Sequence, residues 1–145
     1  LETIGKEIQL VFPIHPRTEK MAKSFGMYDR LEAIPNIVLT GPVGYIDFVA
    51  LMASSTLVLT DSGGLQEETT ALGIPCITLR ENTERPITVT EGTNTIVGCD
   101  PVLIESTALS TLTGNGKAGR IPELWDGKTA ERIADVLLKH IRNGD

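Results

Sequence analysis

Aromatic residues are scarce: three Phe, two Tyr and one Trp make up 4% of the 145 residues, so the core has to be aliphatic. Basic residues are outnumbered, 13 Lys and Arg against 19 Asp and Glu, giving a net charge of −6. That balance excludes the basic stripe a nucleic-acid backbone requires, but allows one small anionic ligand held by a local cluster of donors. Cysteine occurs only at Cys76 and Cys99, with neither Cys-x-x-Cys nor Cys/His metal spacing. Both read as reduced, unspecialised thiols of a cytoplasmic protein. No apolar run approaches the roughly 20 residues of a membrane helix, and no secretory leader pattern is present. The opening Leu1-Glu-Thr-Ile-Gly, without methionine, reads as a cut through a longer protein. Internal repeats and low-complexity segments are lacking. So is a Gly-x-Gly-x-x-Gly after the first strand pattern, which weighs against a dinucleotide-binding domain.

What is present is one domain's worth of chain, enough to bury roughly two thirds of its unfolded surface. Short aliphatic runs alternate with helical patterns. Strands are expected at 7–12, 36–40, 56–60, 74–79 and 94–97. Helices are expected at 18–25, closed by Gly26, at 45–54, at 65–72, closed by Gly73, at 101–113 and at 128–141. The last carries an apolar stripe of Ile133, Val136, Leu137 and Ile141. Regular βα alternation points to an α/β fold with a doubly wound, Rossmann-like parallel sheet and right-handed crossovers.

In such sheets ligands bind beyond the carboxyl ends of the strands, and three unusual segments fall there. Asp61-Ser-Gly-Gly64 runs from a strand into a helix, exposing unpaired backbone N–H groups where the helix dipole is positive. Gly63 and Gly64 let a phosphate approach closely and Ser62 offers a hydroxyl; the same turn also serves as a plain helix start capped by Ser62 or Asp61. One helical turn on, Glu67 or Glu68 is placed to accept hydrogen bonds from a ribose diol. Arg85, ahead of Pro86, is suited to clamp a diphosphate or to pair with Glu81 or Glu84. His15 follows the first strand and is placed to stabilise a leaving diphosphate as a cation or proton donor. Phe48 is available to flank a base or to pack in the core, as is Tyr45.

Together, Thr60-Asp-Ser-Gly-Gly-Leu-Gln-Glu-Glu68, Arg80-Glu-Asn-Thr-Glu-Arg-Pro86 and Glu91-Gly-Thr-Asn94 closely resemble the non-hydrolysing UDP-N-acetylglucosamine 2-epimerases. The tail Leu124-Trp-Asp-Gly-Lys-Thr-Ala-Glu-Arg-Ile133 is similar to their C-terminal segment. The resemblance implies a two-domain fold of the glycosyltransferase-B type, with residues 1–145 as its C-terminal, UDP-binding domain. It implies Ser62, Gly63 and Gly64 at the diphosphate, Glu68 at the ribose and Arg85 at the phosphates. It places His15 in the active site, Phe48 beside the uracil and Val43 in the loop facing the base. The implied reaction eliminates UDP to a glycal-type intermediate and adds it back after reprotonation at the opposite face of C2, with no metal or redox cofactor. A homodimer is implied for the intact enzyme, with a role in cell-envelope polysaccharide synthesis.

Three features modify this picture. The acids that move the C2 proton belong to the N-terminal domain, so the isolated chain is expected to bind UDP without turnover. Val49 stands where many members carry a histidine linked to an allosteric UDP-sugar site. Pro16-Arg-Thr18 resembles relatives acting on UDP-diacetamido-uronic acids, where Arg17 would meet a uronate carboxylate; an ion pair at the surface or between domains is the other use for it. The competing readings are the donor-binding half of a UDP-sugar glycosyltransferase and a non-catalytic UDP-sugar-binding module.

Overall fold

A computed structural model describes residues 1–143. Its strands are β1 (Leu10–Pro13), β2 (Ile37–Thr40), β3 (Val58–Thr60), β4 (Cys76–Thr78) and β5 (Asn94–Ile96), all paired in parallel. Its helices are α1 (Ile4–Glu7), α2 (Pro16–Ser24), α3 (Tyr28–Glu32), α4 (Tyr45–Ala53), α5 (Gly63–Leu72), α6 (Pro86–Thr90), α7 (Pro101–Ser110) and α8 (Thr129–Asn143). The parallel α/β class is the expected one. The hydrogen bonding, however, divides into two ladders, β1–β2 and β3–β4–β5, where one continuous sheet was expected.

Packing joins the two ladders. Ile4, Ile77, Val97 and Ala108 form the buried cluster, closed by Leu10 from one ladder and by Leu57, Leu59 and Leu79 around the other. All are aliphatic, as the shortage of aromatics requires. Ile77 lies at the centre of β4 with 1% exposure, and its burial contributes roughly 2–3 kcal/mol. The β4 strand is buried along its whole length, as expected for a parallel strand covered on both faces.

Three short helices depart from the sequence pattern. Residue 7 ends a helical turn instead of starting a strand, because α1 carries Ile4 into the core against α7. The α3 helix fills the gap before β2. The α6 sequence, Pro-Ile-Thr-Val-Thr, is rich in strand formers. Pro86 presets its first turn, while the Thr88 and Thr90 hydroxyls donate to the carbonyls of Arg85 and Pro86. The α7 helix ends at Ser110, and the chain continues in a wider turn over Thr111–Asn115 until Gly114, at φ +89°, breaks it.

From there the chain returns across the domain. The Lys117 ammonium donates to the carbonyls of Val89 and Asn94, and the Arg120 amide donates to the Glu91 carbonyl at 2.8 Å. Leu124 and Gly127 both take left-handed conformations, at φ +69° and +77°, and turn the chain into α8. Arg132 clips that turn: its guanidinium donates to both carboxylate oxygens of Asp126 and to the Leu124 carbonyl. The Arg132 bonds hold the Asp126 carboxyl at about 2, below its ordinary 3.8, with a smaller contribution from the Lys128 amide. Because the folded value is the lower one, the clip's contribution is present above pH ~4 and is lost as pH falls toward 2. The Asp126 carboxyl carbon is therefore expected to titrate near 2 by NMR, and Arg132→Ala is expected to return it to the ordinary carboxylate range. Beyond the clip, α8 leaves Ile133, Val136, Leu137 and Ile141 exposed.

Candidate functional site

The carboxyl ends of β1, β3 and β4 lead into His15, the Ser62–Gly64 turn and the Arg85 loop. The β3 strand leads into α5 through Asp61-Ser62, and Ser62 occupies the N-cap position. Its hydroxyl makes no capping bond; the Ser62 amide is held instead by the Thr60 hydroxyl at 3.0 Å. The plain-cap use of Ser62 is thus not realised, and the exposed hydroxyl remains available. A Cβ at Gly63 would meet no atom within 4 Å, and one at Gly64 only the Ser62 hydroxyl at 4.0 Å. Packing does not call for glycine at either position, so open space above the helix N-terminus is what they provide. The first-turn N–H groups of this ten-residue helix face that space.

Arg85 reaches the same helix. It stands at the N-cap position of α6 with its backbone extended away from helical geometry, at φ −124° and ψ 61°. Its Nε lies 3.0 Å from Glu67 Oε1, but the N–H is not aligned on that oxygen and has no hydrogen-bond partner among the described residues. The contact is therefore a loose ion pair. The partner is Glu67, not the Glu81 or Glu84 weighed from the sequence, because the loop after β4 folds back over α5. This division of labour leaves Glu68 with no ion pair among the described residues.

Glu67 and Glu68 line a shallow depression of about 290 Å³ with Ala71 and Trp125. The chain's single tryptophan thus lies beside the two carboxylates, a placement that only the return of the chain through the 124–127 turn creates. A larger depression of about 500 Å³ lies elsewhere, lined by hydroxyls of α7 and by Lys117. Its only cation is already bound to two backbone carbonyls, and burial lowers the Lys117 pKa. The candidate donors thus gather at α5 and not at the larger hollow.

His15 follows β1, while Val43 and Phe48 follow β2. His15 caps α2, its Nδ1 accepting from the Arg17 amide at 3.2 Å. A neutral ring in that role carries its proton on Nε2, so His15 presents an N–H donor outward without needing a positive charge. The Arg17 side chain is exposed and forms no ion pair among the described residues. Val43 sits half-buried in the loop after β2, and Phe48 half-buried on α4. Since α4 packs on α5, Phe48's helix stands beside that of Glu68. Tyr45 is 66% exposed and forms no part of the core. Cys76 is buried in β4, where burial pushes its thiol up and leaves it unreactive.

Sequence reasoning missed a buried polar cluster under this site: Gln66, Thr78, Thr88 and Asn94, each 0% exposed, with the half-buried Thr83. Gln66 lies within the quoted glycine motif and Thr83 within the arginine motif, the one available hint that either mattered.

Comparison with known proteins agrees with this fold. The model of the UDP-N-acetylglucosamine 2-epimerase family matches residues 1–138. The UDP-N-acetylglucosamine 2-epimerase of Methanococcus maripaludis is 46% identical over 132 residues, covering 91% of this chain and 36% of that protein. The UDP-2,3-diacetamido-2,3-dideoxy-D-glucuronate 2-epimerase of Pseudomonas aeruginosa is 37% identical over 134 residues, covering 90% and 35%. The crystal structure of the Methanocaldococcus jannaschii UDP-GlcNAc 2-epimerase, solved with UDP-GlcNAc and UDP, superposes with a TM-score of 0.81 at 41% identity, over 95% of this chain and 38% of that one. The chain spans about a third of the length of the curated relatives it matches. On the match over residues 1–138, the chain belongs to the UDP-N-acetylglucosamine 2-epimerase family.

Proposed function

We propose that this chain is the UDP-holding, C-terminal domain of a UDP-sugar 2-epimerase that interconverts UDP-N-acetylglucosamine and UDP-N-acetylmannosamine. The observation that carries the reading is the α5 N-terminus: free N–H groups, an uncommitted Ser62 hydroxyl and two glycines whose side is open, with Arg85 reaching the same helix at Glu67. These are the donors a diphosphate needs. Glu68 takes the ribose diol, while Val43 and Phe48 take the uracil. Family membership supports each assignment.

In this reaction the C2 proton leaves and the C1–O bond to UDP breaks, giving a 1,2-unsaturated sugar. UDP then re-adds at C1 as a proton arrives on the opposite face of C2. The present chain handles the leaving group. Charge develops on the terminal phosphate oxygen, where Arg85, the helix N-terminus and the outward Nε2–H of His15 stabilise it. The acids that act at C2 come from the N-terminal domain of the full-length protein, which works as a homodimer.

The test is the full-length protein incubated with UDP-N-acetylglucosamine in deuterium oxide. The expected result is deuterium at C2 together with the manno epimer. Sugar transfer to an acceptor without C2 exchange would assign a glycosyltransferase instead. UDP binding with neither outcome would assign a sensing module.

A further inference from the structure

The buried polar cluster beneath the site has a fixed hydrogen-bond order. The Arg85 amide donates to Thr83 Oγ1 at 2.9 Å, and Thr83 Oγ1 donates to Gln66 Oε1 at 2.5 Å. The Arg85 carbonyl accepts from Thr88 Oγ1 at 2.7 Å, and that hydroxyl accepts from Asn94 Nδ2 at 3.1 Å. The second Asn94 Nδ2 proton goes to Gln66 Oε1 at 3.2 Å, and Thr78 Oγ1 donates to Asn94 Oδ1 at 2.6 Å. The Thr83 and Thr88 hydroxyls each accept one bond and donate another, and Gln66 and Asn94 each hold two or more, so none of these four can turn without breaking two bonds.

We propose that Gln66 and Asn94 are positioning residues, which through Thr83 and Thr88 grip both backbone polar groups of Arg85 and hold its guanidinium over the N-terminal half of α5. The proposal rests on the UDP reading above. Gln66 lies on α5 itself, two residues past Gly64, so the diphosphate turn and the arginine share one anchor. Arg85 sits in a loop, with a backbone conformation that no helix or strand imposes. The cluster supplies the rigidity its own element lacks. A long side chain aimed from a loose backbone would give up much of its affinity in ordering. Burying this many amide and hydroxyl groups is otherwise costly, and aliphatic residues would serve a purely structural core.

The test is a double-mutant cycle on UDP affinity in the full-length protein. Thr83→Val keeps the shape and removes the hydroxyl; Thr83→Ser keeps the hydroxyl. If the cluster works through Arg85, Thr83→Val raises the UDP dissociation constant about tenfold in the parent but less than about twofold in the Arg85→Ala background. Thr83→Ser is expected to stay near the parent value. An equal loss in both backgrounds, or none in the parent, overturns the positioning role and leaves the UDP reading intact. An Arg85→Ala variant that binds UDP as well as the parent overturns both. Should Thr83→Val not fold, Thr88→Val enters the cycle in its place, since it releases the Arg85 carbonyl.

Discussion

Replacing Arg85 with alanine is expected to weaken UDP binding by roughly 30- to 150-fold, because a guanidinium–diphosphate pair shielded by bound ligand is worth about 2–3 kcal/mol. The fold should hardly notice. In the free domain the Arg85 side chain is 43% exposed and that of its one ionic partner among the described residues, Glu67, is 41% exposed. Pairs that exposed are worth about 0–1 kcal/mol. On binding UDP, Arg85 is expected to exchange a weak, misaligned contact for a strong bidentate one. Glu67→Gln should therefore act in the opposite direction, tightening UDP by up to about threefold, since it removes the competing carboxylate. Arg85→Lys should recover only part of the loss, because an ammonium does not reproduce the planar fork. Calorimetric titration of the full-length protein measures all three. Arg85→Ala binding at the parent's affinity would remove the arginine from the site.

The largest stability loss is expected at a position outside the candidate site. A Cβ at Gly119 would fall within the van der Waals envelope of the Gly92 carbonyl and the Thr93 amide. These are backbone atoms, held by the Arg120 amide to Glu91 carbonyl bond at 2.8 Å and by the buried Asn94 next along the chain. A flexible side chain could swing aside, but here the backbone leading into β5 would have to move. Gly119→Ala should cost about 3 kcal/mol, the upper end for overpacking, and lower the melting temperature by roughly 6–12 °C. Gly63→Ala is the control with the effects reversed. Its Cβ meets nothing within 4 Å, so the melt should hold or rise slightly, while UDP affinity falls as the methyl group crowds the phosphate. A Gly119→Ala protein that melts with the parent would show that the return segment does not lie against Gly92.

What the sequence made legible was whatever depends on local pattern. The α5 helix and its end at Gly73, at φ +71°, followed from apolar spacing and one glycine. The strands followed from aliphatic runs, and the candidate donors at His15, Ser62 and Arg85 from their position after strands. What it hid depends on distant pieces meeting. Gln66 and Asn94 are 28 positions apart and look like surface residues until each supplies the other's partner. The pairing of Arg85 with Glu67 was hidden by nearer acids in the loop. The α6 helix was hidden because its threonines favour strand by propensity and become helical through hydroxyl bonds to their own preceding turn. The division into two ladders has no local signature at all, since each strand in isolation reads as a member of one sheet.

The outward stripe on α8 also bears on cooperativity. Apolar surface that stays wet contributes nothing to folding, so this 15-residue helix draws its stability from its own amide bonds and from the Arg132 clip at its first turn. That is about the length at which a lone helix is only marginal in water. Within this chain, then, the core and the last helix are not expected to share one unfolding transition: the core should melt as a unit, while α8 should follow a helix–coil equilibrium set by its own residues.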